Sequence, residues 1–108
     1  MISDVDAPVA GFFHHWIVYN IPAKVTTLAG HGSDPYSEGT NDYGFVGYGG
    51  PCPPVDGQVH HYVFTVYALD TTSIPGTALD YDQLVTAISP YVIGATSTTA
   101  KFVLPLGS

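Results

Sequence analysis

The sequence contains no arginine and only two lysines, Lys24 and Lys101, against nine aspartate and glutamate residues. Its formal net charge is therefore −7 at pH 7 with the histidines neutral. Neutralising the phosphates of a nucleic acid requires several clustered cations, and docking on an anionic membrane surface has the same requirement. The charge balance therefore predicts no nucleic-acid partner and no electrostatic attachment to a membrane.

Cysteine and long apolar runs are also scarce. Cys52 is the only cysteine, which excludes a disulfide within the chain. The sequence has no run of about 20 apolar residues that could span a bilayer. Its first residues also lack the basic-then-apolar order of a secretory signal. We therefore expect no membrane insertion, and we predict a cytoplasmic location.

The residues that are abundant favour a β structure. Hydrophobic residues make up 45% of the chain and charged residues 10%, which is typical of a folded domain. Eight tyrosines and five phenylalanines, together with many valines and threonines, suit pleated and half-buried surfaces. Twelve glycines and nine prolines supply frequent turns. We predict a single, mainly β domain over residues 1–108.

Three strands and one helix can be placed from local pattern. Residues 12–21 and 59–69 are aromatic and β-branched runs that predict buried strands, and residues 95–104 predict a final strand. A short helix is predicted over 81–88, with Asp80 as its N-cap and an apolar face formed by Leu84, Val85 and Ile88. The intervening stretch 28–57 is dense in turn residues, and we expect short extended pieces at 30–33 and 43–48 within it.

Four motifs follow one another along the chain. They are DVDAP from Asp4, FFHHW ending at Trp16, GYGGPCPP over 47–54, and HHY starting at His60. Their order and spacing resemble those of the phosphatidylethanolamine-binding protein (PEBP) family, in its bacterial and archaeal YbhB/YbcL branch, which is Raf kinase inhibitor-like. The resemblance extends from Ser3 to Asp70 and more weakly to Leu104.

The resemblance implies a PEBP-like Greek-key β sandwich with one short C-terminal helix. It also implies a non-catalytic pocket that binds a phosphate, phospholipid head-group or carboxylate anion without a cofactor or metal. Carried over by position, the ligand-binding residues would be Asp4, Asp6, Phe13, His15, Gly50, Pro51, Cys52, Pro53, His60 and Tyr62.

Two departures from the family pattern have structural consequences. Val5 stands where the family motif DPDAP has its first proline. The family also has strands before this motif, so the fold is expected to be N-terminally shortened. Missing strands would expose sheet edges and favour self-association, which makes a homodimer an expected state.

Strand geometry places the two histidines of each adjacent pair on opposite faces of the sheet. Neighbouring residues of a strand face opposite ways, so His14 and His15 cannot both enter one pocket, and neither can His60 and His61. The family pattern selects His15 and His60, which leaves the other two with surface or packing roles. An aspartate beside an imidazole fixes its tautomer and favours its protonated form. A glycine-rich loop can add backbone N–H groups aimed at an anion.

Other interpretations remain open at this stage. The two aspartates of DVDAP could be turn formers, whereas the histidine spacing fits no zinc motif. A kinase- or protease-inhibitor-like regulator would act through the loops around the pocket, particularly 30–44. A hydrolase would use Cys52, or an Asp–His pair, as its reactive group.

Overall fold

The main sheet has four antiparallel strands. The structure, a computed structural model, describes residues 1–6, 12–25, 28, 36–50 and 59–102. Its strands are β1 (Ile2–Asp4), β2 (Phe13–Trp16), β3 (Val18–Tyr19), β4 (Ser37–Glu38), β5 (His60–Leu69) and β6 (Val92–Phe102). The main sheet has the order β2-β1-β5-β6, and β3 pairs with β4 in a second, two-stranded sheet.

The three residues of β1 hold the main sheet together. Asp4 lies opposite Phe13 of β2 on one side and opposite Tyr62 of β5 on the other. At the start of the chain, the Met1 ammonium donates to the Thr65 carbonyl at 2.8 Å, and the Thr65 amide donates back to the Met1 carbonyl at 2.9 Å. β1 thus joins two strands that are distant in sequence.

The single strand predicted over 12–21 is wrong, because the chain changes sheets in the middle of it. Ile17 is fully buried between β2 and β3, and its carbonyl accepts from the Gly39 amide at 2.7 Å. After Ile17 the chain pairs with β4 instead of β1. A Cβ at Gly39 would collide with the Leu79 carbonyl, so the close approach of these segments requires glycine there.

The predicted helix is present as α1 (Tyr81–Ile88). Asp80 forms a capping box with Gln83, in which its carboxylate accepts from the Gln83 amide at 2.8 Å and its own amide donates to the Gln83 side chain at 3.0 Å. Leu84 and Ile88 are buried, whereas Val85 is half-buried. A 3₁₀ turn containing Pro90 follows the last turn of the helix.

The hydrophobic core lies between the helix, β3 and the segment that precedes the helix. Its buried members are Ile17, Tyr19, Ile74, Leu84 and Ile88. Asn20 fastens this layer, since its side chain donates to the Ile74 carbonyl at 2.9 Å and accepts from the Ile74 amide at 2.6 Å. Asn20 has a φ of 56°, a left-handed conformation that asparagine tolerates better than most residues.

His14 belongs to the side of the sheet that the helix covers. It is 6% exposed, and its Nδ1 lies 2.6 Å from the Ser3 hydroxyl oxygen. Its ring stacks on that of Tyr81, with centroids 3.6 Å apart and an interplanar angle of 11°. His14 is therefore a packing residue, one of the two roles expected for it once the family pattern selects His15.

The remaining sequence predictions are met in part. β5 begins one residue later than predicted, and β6 begins three residues earlier, at Val92. Residues 43–48 form no strand and contribute a single bridge between Thr40 and Val46. The extended piece at 30–33 and the end of the last strand beyond Phe102 lie outside the described residues. The mainly β class with one short helix is confirmed. Within the described ranges, no helix is long and apolar enough to cross a membrane.

Replacing Asp80 by alanine is expected to destabilise the protein by about 1 kcal/mol, because the Gln83 amide loses its capping acceptor. Urea unfolding would measure the change in the free energy of unfolding. Asp82→Ala is the matched control, since Asp82 is an exposed acid in the same first turn without a capping role. Equal losses in the two variants would contradict the assigned cap.

The buried His14 is expected to make the protein less stable as the pH falls. Burial lowers the pKa of His14 from its ordinary 6.5; Asp42 and Asp82 oppose this shift, and His15 and the N-terminal ammonium add to it. The unfolded chain therefore takes up a proton near pH 6.5 that the folded chain excludes. The stabilisation is present above this value and is lost as the pH falls towards the lower folded pKa.

Urea unfolding between pH 7.5 and 5.5 tests this expectation. In His14→Gln the slope of the unfolding free energy against pH should decrease by up to about 1.4 kcal/mol per pH unit, the limit for one proton. Thr72→Gln, at an exposed position without a titratable group, should keep the parent slope. An unchanged slope in His14→Gln would contradict the assigned contribution of His14 to the pH dependence of stability.

Candidate functional site

The two faces of the main sheet carry different histidines. Ser3 and His14 are cross-strand partners on the face that α1 covers. The opposite face carries Asp4, His15 and Tyr62, because successive residues of a strand alternate. All three are less than 5% exposed. The predicted separation of His14 from His15 is therefore confirmed.

Asp4 and His60 form a buried pair. The Asp4 Oδ2 lies 2.8 Å from the His60 Nδ1, and the two side chains are 5% and 2% exposed. The second carboxylate oxygen accepts from the Asp6 amide at 2.9 Å. An ionised carboxylate can only accept, so Nδ1 of His60 carries the proton in this contact. Asp4 thus fixes both the orientation and the tautomer of His60.

His15 is fixed by the backbone of the glycine-rich loop. Its Nδ1 lies 2.9 Å from the Gly49 carbonyl oxygen, and the Gly49 amide donates back to the His15 carbonyl at 3.0 Å. Because a carbonyl only accepts, Nδ1 of His15 carries the proton as well. A Cβ at Gly49 would collide with the Tyr43 ring. Glycine is therefore required at this position for the loop to reach the histidine.

Aromatic rings surround the His15 imidazole on three sides. The rings of Phe13, Tyr43 and Tyr62 meet it edge-on, with centroid distances of 5.0, 5.5 and 5.2 Å. Tyr43 also meets Phe13 at 4.8 Å, and its hydroxyl donates to the Gly50 carbonyl at 2.8 Å. Phe13 and Tyr62 were predicted as walls of the site, and the structure brings both of them to His15.

The sequence reasoning missed Tyr43 and the residue that positions it. Asn41 is 3% exposed, and its side-chain oxygen accepts from the Tyr43 amide at 3.0 Å. The Asn41 amide group donates to the Gly47 carbonyl at 2.9 Å, which closes the loop on itself. The dipeptide Asn41–Asp42 ahead of Tyr43 and Gly44 is a turn signal that could have indicated this arrangement.

Asp6 lies apart from the two buried histidines. Its Oδ2 accepts from the amide and from Nδ1 of His61, at 2.7 and 2.6 Å, and both side chains are about 40% exposed. The side-chain hydrogen bond from His61 lowers the pKa of Asp6. The DVDAP aspartates were expected to orient the binding histidines, and for Asp6 this needs correction. Asp4 holds His60, whereas Asp6 holds His61.

The rest of the predicted rim is placed only in part. Gly50 is exposed, and its carbonyl receives the Tyr43 hydroxyl. Pro51, Cys52 and Pro53 lie outside the described residues. Their role in ligand binding stays a prediction.

His15 and His60 are both buried on this face of the sheet, and aromatic rings surround His15. Two buried imidazoles each have Nδ1 held by an acceptor of the protein itself. Such a ring offers a lone pair at Nε2 when neutral and an N–H donor when protonated. The site can therefore exchange between accepting and donating hydrogen bonds as it takes up a proton.

Comparison with known proteins identifies relatives over most of the chain. The family model for phosphatidylethanolamine-binding protein matches residues 1–103. A UPF0098 protein of Pyrococcus horikoshii is 49% identical over 80 residues, which are 67% of this chain and 39% of that protein. The UPF0098 protein YbcL of Escherichia coli is 44% identical over 82 residues, which are 68% of this chain and 45% of YbcL. The match therefore spans less than half the length of these two relatives.

Solved structures agree with the sequence relatives. The crystal structure of E. coli YbcL, described as a member of the mammalian PEBP family, superposes with a TM-score of 0.85 at 34% identity. The alignment covers 94% of this chain and 68% of YbcL. A PEBP homologue of Chlamydia trachomatis superposes with a TM-score of 0.83 at 32% identity, covering 94% of this chain and 67% of the homologue. Sequence and fold agree that this chain belongs to the phosphatidylethanolamine-binding protein family, with the YbhB/YbcL proteins among its relatives.

Proposed function

We propose that the chain binds a small anionic group, such as a phosphate, a phospholipid head-group or a carboxylate, without converting it. The anion would lie against His15 and His60, with Phe13 and Tyr62 as walls. The single observation that carries this proposal is the pair of buried imidazoles whose Nδ1 atoms are fixed by the Gly49 carbonyl and by Asp4.

The net charge of the protein makes such a local arrangement necessary. A chain with a charge of −7 repels anions at a distance, and it has no arginine to reverse the field locally. Histidine is the side chain that becomes cationic close to neutral pH. Two imidazoles held within hydrophobic walls are the available means of offering positive charge to a ligand.

The tautomers have a consequence for the pH dependence of binding. With its Nδ1 proton directed at Gly49, His15 can donate to an anion through Nε2 only after it takes up a second proton. Binding of an anion that carries no proton, such as sulfate, should therefore be coupled to proton uptake. The affinity is then expected to rise as the pH falls, by up to about tenfold per pH unit for each proton taken up.

Calorimetric titration with inorganic phosphate and with sulfate tests the site. His60→Ala is expected to weaken phosphate binding by roughly 10- to 150-fold, because a hydrogen bond to a charged group contributes about 1.5–3 kcal/mol. His61→Ala is the matched control, since its ring is held by Asp6 on the other side of the same strand. Its affinity should stay within about twofold of the parent.

Two outcomes would contradict the proposal. Unchanged phosphate affinity in His60→Ala would remove the central claim. Turnover of a phosphate or carboxylate ester that is lost in Cys52→Ser or in His60→Ala would show that the site is catalytic. Sulfate titrations at pH 6 and at pH 7.5 test the coupled proton uptake separately from the existence of the site. Equal sulfate affinities at the two pH values would show that binding takes up no proton.

A second candidate is a regulatory protein that inhibits a kinase or a protease through the loops around the pocket. It is favoured by the exposed aromatic side chains of Tyr43 and Phe45, whose rings stack with centroids 5.9 Å apart. Phe45→Ser would discriminate between the two functions. Loss of inhibition with phosphate affinity retained would favour the regulatory role.

A further inference from the structure

Asp6 and His61 form a second aspartate–histidine pair, at the point where β1 ends. The Asp6 Oδ2 accepts from the His61 amide at 2.7 Å and from its Nδ1 at 2.6 Å. The His61 carbonyl accepts from the Val5 amide at 3.0 Å. The main chain and the carboxylate therefore hold this ring together. Because residues alternate along a strand, the ring lies on the opposite face of β5 from His60.

The Asp6–His61 pair is open to solvent, in contrast to the buried pair of Asp4 and His60. Its two side chains are 41% and 40% exposed. The side-chain and backbone hydrogen bonds from His61 lower the pKa of Asp6, so the carboxylate is ionised at neutral pH and only accepts. Nδ1 of His61 therefore carries the proton, and the neutral ring has its lone pair at Nε2. Within the part of the chain that the structure describes, no group hydrogen-bonds to this Nε2.

Access to solvent distinguishes His61 from the other histidines that the structure describes. Those three, His14, His15 and His60, are all buried. Imidazole is a nucleophile that can form covalent bonds to a transferred group. A carboxylate on the Nδ1 proton stabilises the positive charge that the ring acquires when Nε2 forms such a bond. His61 therefore combines an accessible lone pair with a group that supports its reaction.

A lysine lies directly across from His61 on the same face of the sheet. Lys101 of β6 is the pairing partner of His61, and it is exposed. The Cβ atoms of such cross-strand partners are about 4.5–5.5 Å apart, a distance that the flexible four-carbon stem of lysine spans. The only other basic residue of this acidic chain is Lys24. An ammonium group beside the nucleophile favours a transferred group with negative charge, and hence a phosphoryl group over an acyl group.

We propose that His61 is a phosphoryl acceptor, which takes a phosphoryl group at Nε2 from a donor of the phosphoramidate class. Nε2 attacks phosphorus and forms a nitrogen–phosphorus bond. The nitrogen–phosphorus bond of the donor breaks, and its electron pair leaves with the donor nitrogen, as ammonia when the donor is phosphoramidate itself. The ring then carries one positive charge, with its Nδ1 proton still directed at Asp6, and Lys101 faces the phosphoryl oxygens. One bond of this kind replaces another, so no further reactant is required.

Reaction of the full chain with phosphoramidate at mildly alkaline pH tests the acceptor. Phosphorus NMR, intact mass and peptide mapping would follow the product. The parent should gain an acid-labile phosphoryl group on His61, at Nε2 alone, about three- to tenfold faster than N-acetylhistidine does, because two exposed charges assist the reaction. His61→Gln should lose this group. Absence of the group from His61, or a rate no higher than that of N-acetylhistidine, would overturn the proposal.

Two matched pairs of variants test the neighbours of the nucleophile. Lys101→Gln should slow phosphorylation of His61 by about two- to fivefold, the size of an exposed ion pair, whereas Lys24→Gln, at an exposed lysine outside β6, should keep the parent rate. Asp6→Ala should free Nδ1 and give a mixture of Nδ1 and Nε2 products, which a general loss of stability would not produce. Asp70→Ala, at an exposed residue just after β5, should give the Nε2 product alone. A parent rate in Lys101→Gln would overturn the role of the lysine, and Nε2 product alone in Asp6→Ala would overturn that of the carboxylate. Circular dichroism checks that each variant is folded.

Discussion

The structure depends on the pairing of one short strand with two others. β1 contributes three residues, yet it joins β2, which ends at Trp16, to β5, which begins at His60. Because side chains alternate along a strand, Ser3 faces the helix and Asp4 faces the opposite side. The same row of backbone pairing therefore sets His14 against Ser3 and His60 against Asp4. Core and candidate site are two consequences of one register.

Three buried histidines of the described residues each have a hydrogen-bond partner within the protein. His14 meets Ser3 and stacks on Tyr81, His15 meets the Gly49 carbonyl, and His60 meets Asp4. Buried imidazoles are tolerated when a hydrogen bond fixes each ring. Burial favours the neutral form of His14 and lowers its pKa.

Local pattern was sufficient for the helix and for most of β5 and β6. Asp80, Leu84 and Ile88 carry the capping and periodicity signals of α1, and these signals act within a few residues of one another. The prediction of a single strand over 12–21 was wrong because both halves of this run are strands with the same composition. The change of sheet at Ile17 depends on β4, which is distant in the sequence. No pattern within the run itself reports such a partner.

The sequence by itself determined the class of the fold, the helix, the family motifs and the placement of His14 and His15 on opposite faces. These follow from composition, from alternation along a strand and from the order of short motifs. Only the tertiary structure decided that Asp4, and not Asp6, holds His60, and that Tyr43 reaches His15. Such contacts join residues tens of positions apart. Their geometry depends on sheet register and loop path, which the order of residues in a motif does not specify.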